Sequence, residues 1–290
     1  MWPGSNGISA GPLSAGPIPG EAMLHTVVLL PEAEHRLGQF LAALPLRLEG
    51  SIPLTIGPWT VLEQPRPCSW CDLEGAQWSF RLVFDPQGVP PSVMPAVSAG
   101  QPSDECQEAL DEHHACCLMF LLKSPPEATP WQRFQALCRV SWAWVDSGAS
   151  LLVMPEAQTH LPRRVLIGME PENLGADHAY LFLSNGLVNI EEKGEERKLW
   201  LRTWGMGQFG LPDLAASLPS RLGEEDQLEA DLSSLRLLFE TLPPAMIREQ
   251  GILPVGGTVE VGARTWTAVG EPGSVDYPFL RSRCGVQLFV

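Results

Sequence analysis

A glycine-rich segment in the second half of the chain has the residue pattern most suggestive of chemistry. Its residues, Gly205-Met206-Gly207-Gln208-Phe209-Gly210, match the fingerprint with which dinucleotide-binding folds approach a pyrophosphate. Their surroundings favour a different structure. A dinucleotide-binding strand is a buried parallel strand, whereas residues 198–204 alternate like a half-exposed hairpin strand, and Pro212 would fall inside the phosphate-facing helix. The sequence therefore predicts a glycine-rich turn that binds no nucleotide and no other cofactor.

Two residues of opposite charge, Arg202 and Asp213, flank this turn. The simpler interpretation is structural, with Arg202 holding Asp213 or backbone carbonyls in place. The alternative is an anion-binding site, because Gly205, Gly207 and Gly210 would let backbone amides approach a ligand closely. These five residues are the predicted binding set.

Two cysteine patterns bear on metal binding and on redox environment. Cys68-Ser69-Trp70-Cys71 has the spacing of half a zinc site, but no second pair of ligands is recognisable, so we predict no metal. Cys116 and Cys117 are adjacent in a predicted apolar strand, where one would face each side. With seven cysteines in total, this arrangement indicates free thiols in a reducing compartment.

Charge limits the classes of partner. The 290-residue chain has a formal net charge of −15, which repels nucleic acids and anionic membranes and attracts basic proteins. The acidic residues Glu191, Glu192, Glu195 and Glu196 are expected at a solvated hairpin tip. Neither a signal-peptide pattern nor a long apolar run is present, so we expect a cytoplasmic protein.

A strand-helix-strand order recurs in both halves and predicts an α+β fold of two α/β sandwich-like units, for which ferredoxin-like halves are one possible form, with a small antiparallel C-terminal edge. Residues 1–22 are a Gly, Pro and Ser tail. Residues 23–103 form an N-terminal α+β unit that ends in a proline-rich linker, and residues 104–290 form a C-terminal α+β domain.

Periodicity places the main elements. Helices are predicted after Pro31, over 129–147 and over 227–242, and the last carries the stripe Leu228, Leu232, Leu235, Phe239 and Leu242. Strands at 115–122 and 150–154 flank the second helix, which is typical of parallel neighbours joined by a crossover. Residues 179–190 and 197–204 are predicted to pair as a long hairpin, and three short strands follow at 258–261, 265–269 and 286–290.

A longer string around the turn is similar to a known family. Arg202-Thr203-Trp204-Gly205 followed by Phe209-Gly210-Leu211-Pro212-Asp213-Leu214 resembles the C-terminal motif of the bacterial domain of unknown function 4261. The likeness covers roughly residues 116–290 and includes the order of strand, aromatic-rich helix, Gly148-Ala149 and the strand toward Met154. The resemblance implies a bacterial protein and brings no established activity, substrate or catalytic residue.

Two functional hypotheses follow. The first is a non-catalytic intracellular protein-binding or regulatory protein, of the immunity or inhibitor type, with a basic protein partner. No nucleophile and base can be paired in the sequence, so no catalytic residue is predicted. The alternative is an enzyme acting on a small anionic substrate at the Gly205–Asp213 turn, with Arg202 binding the anion and Asp213 or His178 as acid or base.

Overall fold

The chain folds as two compact α+β units, a first unit of Met23–Gly175 and a second unit of Ala176–Val290. The computed structural model describes residues 24–32, 34–48, 54–62, 68–90, 94, 103–193, 196–221, 225–262, 264–269, 280 and 285–290. The predicted tail, residues 1–22, and most of the predicted linker lie outside these residues. The α+β fold class of sandwich-like units is confirmed.

The first unit is built on an eight-stranded antiparallel sheet. Its strands are β1 His25–Leu30, β2 Thr55–Ile56, β3 Thr60–Leu62, β4 Cys68–Glu74, β5 Ser79–Asp85, β6 Ala115–Lys123, β7 Leu151–Met154 and β8 Thr159–Pro162. They are arranged in the order β2-β4-β5-β6-β1-β7-β8, and β3 also pairs with β4. The predicted boundary at residue 103 lies inside this unit, because β5 and β6, on either side of the proline-rich segment, are hydrogen-bonded neighbours.

The α-helices with described bounds in this unit are α1 Glu34–Leu48, α2 Asp104–Glu112, α3 Pro130–Asp146 and α4 Arg163–Ile167. The expectation that β6 and β7 are neighbours is wrong, because β1 lies between them and is antiparallel to both. They are parallel in direction and form a split β-α-β unit. Together, β1, α1, β5, β6, α3 and β7 follow the ferredoxin-like β-α-β-β-α-β order, with β2 to β4 and α2 inserted.

Local chemistry explains why α3 forms where it does. The Thr129 hydroxyl accepts from the Gln132 N–H, and the Gln132 side chain accepts from the Thr129 N–H, which completes a capping box before Pro130 at the first turn. The helix ends at Asp146, and Gly148 then takes the left-handed conformation at φ 94°. One side of α3 packs on α1, where Phe40 and Trp144 stack with ring centroids 4.1 Å apart.

The sheet of the first unit is apolar on both faces. Cys116 belongs to a buried cluster that α2 covers with Cys106 and Ala109. Cys117, on the next position of β6, is fully buried and interacts with Trp144 of α3. The prediction that the two thiols face opposite sides of a strand is confirmed.

The second unit contains a six-stranded sheet in the order β12-β13-β14-β11-β10-β9. Its elements are β9 Ser184–Lys193, β10 Glu196–Trp204, β11 Asp213–Arg221, α5 Glu225–Glu249, β12 Thr258–Val261, β13 Arg264–Val269 and β14 Val286–Phe289. All described pairings are antiparallel except that of β11 with β14. The predicted hairpin and the three C-terminal strands are confirmed, although residues 176–182 form a 3-10 helix before β9.

The predicted apolar stripe of helix α5 faces the core of the second unit. Leu235, Phe239 and Leu242 are buried, and the helix continues through Pro243 and Pro244 to Glu249. Among the described residues, none of the helices combines the length and the apolar character needed to cross a membrane.

Candidate functional site

The glycine-rich segment joins two neighbouring antiparallel strands, β10 and β11. It forms a 3-10 helix over Met206–Phe209, and left-handed glycines stand at both ends, Gly205 with φ 102° and Gly210 with φ 71°. A side chain at either position would be strained, which explains the glycines without a ligand. The predicted turn is confirmed, and the antiparallel strands on either side differ from a dinucleotide-binding crossover.

The strand that leads into this turn differs from the prediction in one respect. Residues 199–203 are buried without interruption, so β10 is covered on both faces and is not half-exposed. The sequence shows alternation because Lys198 and Arg202 carry charge, but Arg202 is only 6% exposed. Its charge is balanced inside the protein.

Arg202 and Asp213 form a buried ion pair across the turn. The Arg202 Nη2 donates to Asp213 Oδ2 at 2.7 Å, and both side chains are at most 7% exposed. Arg202 Nε donates to the Thr203 carbonyl at 3.2 Å, and the guanidinium lies 5.5 Å from the centre of the Trp204 ring. The predicted structural role of Arg202, holding Asp213, is confirmed.

Asp213 is also bound to the turn itself. Its Oδ1 accepts from the Met206 N–H at 3.2 Å, and its own backbone N–H donates to the Gly285 carbonyl at 3.1 Å. The carboxylate thereby joins the start of the 3-10 helix to Arg202. Because removal of either charge would take a counter-charge at 2.7 Å away from a buried group, the pair helps to hold the turn.

Neighbouring side chains close the same turn. The Thr203 hydroxyl accepts from the Leu214 N–H at 2.8 Å, directly beside the ion pair. Gln208, which is buried, donates from Nε2 to the Phe182 carbonyl at 2.7 Å and so attaches the turn to the 3-10 helix before β9. Sequence reasoning missed the contribution of Gln208, since its partner lies 26 residues away in the chain.

The predicted binding residues thus lie together, but in a closed arrangement. The structure brings Arg202 and Asp213 into contact and places Gly205, Gly207 and Gly210 within the 3-10 segment and its caps. The backbone N–H of Gly210 donates to the Gly207 carbonyl at 3.0 Å, inside the turn. His178 is exposed on the separate 3-10 helix Ala176–Phe182. This geometry suits a rigid structural connection better than an anion site.

Cys68 and Cys71 cannot meet one metal ion. Both lie on β4, where residues three apart point to opposite faces of the sheet. Cys71 is fully buried, and burial raises the pKa of its thiol to about 11, so it is protonated at neutral pH. Within the described part of the chain, no group of three or more His, Cys, Asp or Glu side chains is placed to hold a metal ion.

A second surface was not singled out by the sequence. Edge strand β9 exposes Leu187 at 52% and Ile190 at 46%, and the next two residues, Glu191 and Glu192, are exposed as well. The acidic residues were predicted at a solvated hairpin tip, and the apolar pair was predicted only as part of a hairpin strand. An apolar edge beside carboxylates can bind an extended basic segment.

No protein-family model, no curated protein and no solved structure matches the chain. The resemblance of residues 202–214 to the domain of unknown function 4261 stays a prediction.

Proposed function

We propose that the chain is a non-catalytic protein-binding protein, regulatory and of the inhibitor or immunity type, whose partner is a basic protein. The observation that carries this proposal is the closure of the Arg202–Asp213 turn. Arg202 and Asp213 form an ion pair with each other. Their other described side-chain hydrogen bonds go to backbone groups of the same unit. The residues with most promise as a ligand site are thus occupied in holding the fold.

Charge supports a basic partner. The net charge of −15 gives the molecule a long-range attraction for cationic surfaces, which accelerates encounter and suppresses acidic partners. Such a partner could be an enzyme or toxin whose basic surface the chain covers. The bacterial origin follows from the resemblance alone.

A cytoplasmic location is part of the same proposal. Six cysteines are described, and all six are free thiols. Five of them are buried, among them Cys71, Cys116 and Cys117. A reducing compartment preserves such thiols, which supports an intracellular role.

The alternative, an enzyme acting on a small anion at the Gly205–Asp213 turn, receives no support from the described geometry. An anion would have to displace Asp213 from Arg202, and both side chains are almost fully buried. Displacement would leave the Asp213 carboxylate beside an anion, which is unfavourable. We therefore do not propose it as a second function.

Affinity capture followed by reconstitution tests the proposal. The tagged chain would be incubated with native lysate at low salt, where charge complementarity is strongest, and captured proteins would be identified and purified. We expect one basic protein to re-form a stoichiometric complex with the chain. Failure of every captured protein to bind when purified, together with stabilisation of the chain by inorganic phosphate that Arg202→Met abolishes, would favour the enzyme hypothesis instead.

A further inference from the structure

We propose that the outer edge of β9 is a strand-addition site, at which an extended basic and apolar segment of a partner protein becomes the next strand of the second-unit sheet. This inference rests on the proposed protein-binding function and names its surface and its ligand. The site consists of residues 185–192, which we call the β9 edge.

The β9 edge has the geometry that strand addition requires. β9 is the last strand in the order β12-β13-β14-β11-β10-β9, and among described residues it pairs with β10 alone. In an antiparallel edge strand, every second residue directs its N–H and C=O away from the neighbouring strand. A ten-residue strand therefore offers a ladder long enough for an incoming segment.

Two rows of apolar side chains, paired across neighbouring strands, run across the sheet. The last side chain of each row, on β9, is exposed. In one row, Leu218 of β11 and Leu199 of β10 lie in register with Ile190. In the other, Ala216 and Leu201 lie in register with Leu187. The β10 and β11 members of both rows are buried, whereas Leu187 and Ile190 are about half exposed. An added strand would continue each row with an apolar side chain and cover these two residues.

A β-bulge produces this alignment. Leu187 and Ile190 are three positions apart and would face opposite sides of a regular strand. The register between β9 and β10 shifts at this point, since Asn189 pairs with Trp200 and Leu187 pairs with Leu201. Val188, the extra residue, packs instead against the cluster of Trp200 and Ala215. The bulge thus brings both apolar side chains to one face.

The glutamates at one end of the β9 edge favour a ligand with basic side chains. Glu191 and Glu192 follow Ile190 directly, and both are exposed together with Glu196 at the start of β10. Arg197 pairs with Glu192 at 3.0 Å. Over residues 191–198, four glutamates outnumber Lys193, Arg197 and Lys198 by one, so the local formal charge is −1. A segment whose apolar residues oppose Leu187 and Ile190, and whose Lys or Arg residues lie beside Glu191 and Glu192, would match both properties.

The other described edges lack this combination. The opposite edge, β12, has only four residues, and its Val259 and Val261 are buried. In the first unit, β2 and β3 have two and three residues, and β8 ends in a proline. A second copy of the chain is disfavoured as occupant, because two molecules of charge −15 repel each other.

The test uses the full chain and a short labelled peptide in which Val and Lys alternate. Binding would be measured by fluorescence anisotropy, and protection of β9 amides by hydrogen exchange. Ile190→Lys removes an apolar contact and adds a repulsive charge, so it should weaken binding by about tenfold or more. Ile56→Lys is the matched control, since Ile56 is also an exposed residue of an edge strand and the charge change is identical. It should change the affinity by less than about twofold.

A second peptide separates strand addition from simple charge attraction. N-methylation of alternate peptide bonds removes the ladder donors and keeps every charge, so this peptide should not bind and should not protect β9. Equal weakening by Ile56→Lys and Ile190→Lys, equal binding of the methylated peptide, or no binding of the parent peptide would each overturn the proposal. Dimerisation of the free chain that Ile190→Lys abolishes would overturn it as well, since the occupant would then be a second copy.

The partner itself distinguishes this inference from the proposed function. If the purified captured protein binds wild type and Ile190→Lys equally, the β9 edge is not the site, and the protein-binding function stands. If no partner can be reconstituted while the parent peptide binds and protects β9, the edge is a strand-addition site and the proposed function fails.

Discussion

The Arg202–Asp213 pair shows how a single contact can decide between a ligand site and a structural connection. The sequence alone predicted that the two residues flank a turn and that Arg202 holds Asp213. It could not show that the Met206 N–H donates to the Asp213 carboxylate, or that the Gln208 side chain donates to the Phe182 carbonyl. Those partners depend on the backbone conformation of the turn, which residue types do not determine.

Removal of one charge from this pair should be costly. Asp213→Asn removes the carboxylate charge that lies 2.7 Å from the buried guanidinium of Arg202, so the free energy of unfolding should fall by about 3–5 kcal/mol in denaturant unfolding. The double variant Arg202→Met with Asp213→Asn should lose less than the sum of the two single variants.

The matched control is Glu192→Gln, because the ion pair of Glu192 with Arg197 joins the same hairpin but lies at the surface. Its cost should be below about 1 kcal/mol. Equal costs for Asp213→Asn and Glu192→Gln would mean that Arg202 is solvated and open to ligands.

The Cys71 thiol should make stability depend on alkaline pH. Burial raises its pKa from 9.0 to about 11 in the folded chain. As the pH rises through this interval, the unfolded chain loses the thiol proton before the folded chain does, so the unfolded state is favoured. The free energy of unfolding should therefore fall over this range, and Cys71→Ala should make the decline shallower.

Cys68→Ala is the control for this prediction, since Cys68 lies on the same strand, is only partly buried and points to the opposite face. Cys71→Ala should make the decline shallower than Cys68→Ala does. A decline unchanged by Cys71→Ala would contradict the burial of this thiol. Chemical denaturation at a series of alkaline pH values provides the measurement.

At the scale of elements, helices were the most predictable part of the fold. The periodicity of α3 and α5 is a local property, and it placed both helices, although α5 continues past the predicted end at Leu242 to Glu249. The partners of strands are not local. A strand, a helix and a strand in succession did not reveal that β1, about 90 residues earlier, lies between β6 and β7.

Helix α5 offers a direct comparison of its two faces. Leu235 is fully buried, so Leu235→Ala should lower the free energy of unfolding by about 2–5 kcal/mol through lost transfer energy and a residual cavity. Arg236, the next residue, is exposed, so Arg236→Ala should change the free energy of unfolding by less than about 0.5 kcal/mol. Denaturant unfolding of both variants gives the two values, and similar losses would mean that the stripe does not pack against the core.

At the scale of the whole molecule, the order of predicted strands and helices indicated the α+β class but not the division of the chain. The proline-rich segment after Asp85 resembles a linker, yet the strands on its two sides belong to one sheet. The division found in the structure falls between Gly175 and Ala176, where the composition does not change in an obvious way. Proline content reports where regular structure stops and not where a hydrophobic core ends.

The same limit applies to the surfaces that we propose as functional. The acidic character of residues 191–196 was visible in the sequence. The exposure of Leu187 and Ile190 was not, because it depends on the last position of β9 in the sheet and on the bulge at Val188. Strand order and bulges arise from long-range pairing, which a single sequence does not reveal.

The salt dependence of the reconstituted complex is the most direct test of the claim that this chain binds a basic protein through its acidic surface. The dissociation constant of the chain and its purified partner would be measured by titration calorimetry at about 50 mM and about 500 mM NaCl. We expect the affinity to fall by about tenfold or more at the higher salt concentration, since screening weakens the attraction between opposite charges. An affinity that is unchanged or increased at high salt would contradict the account.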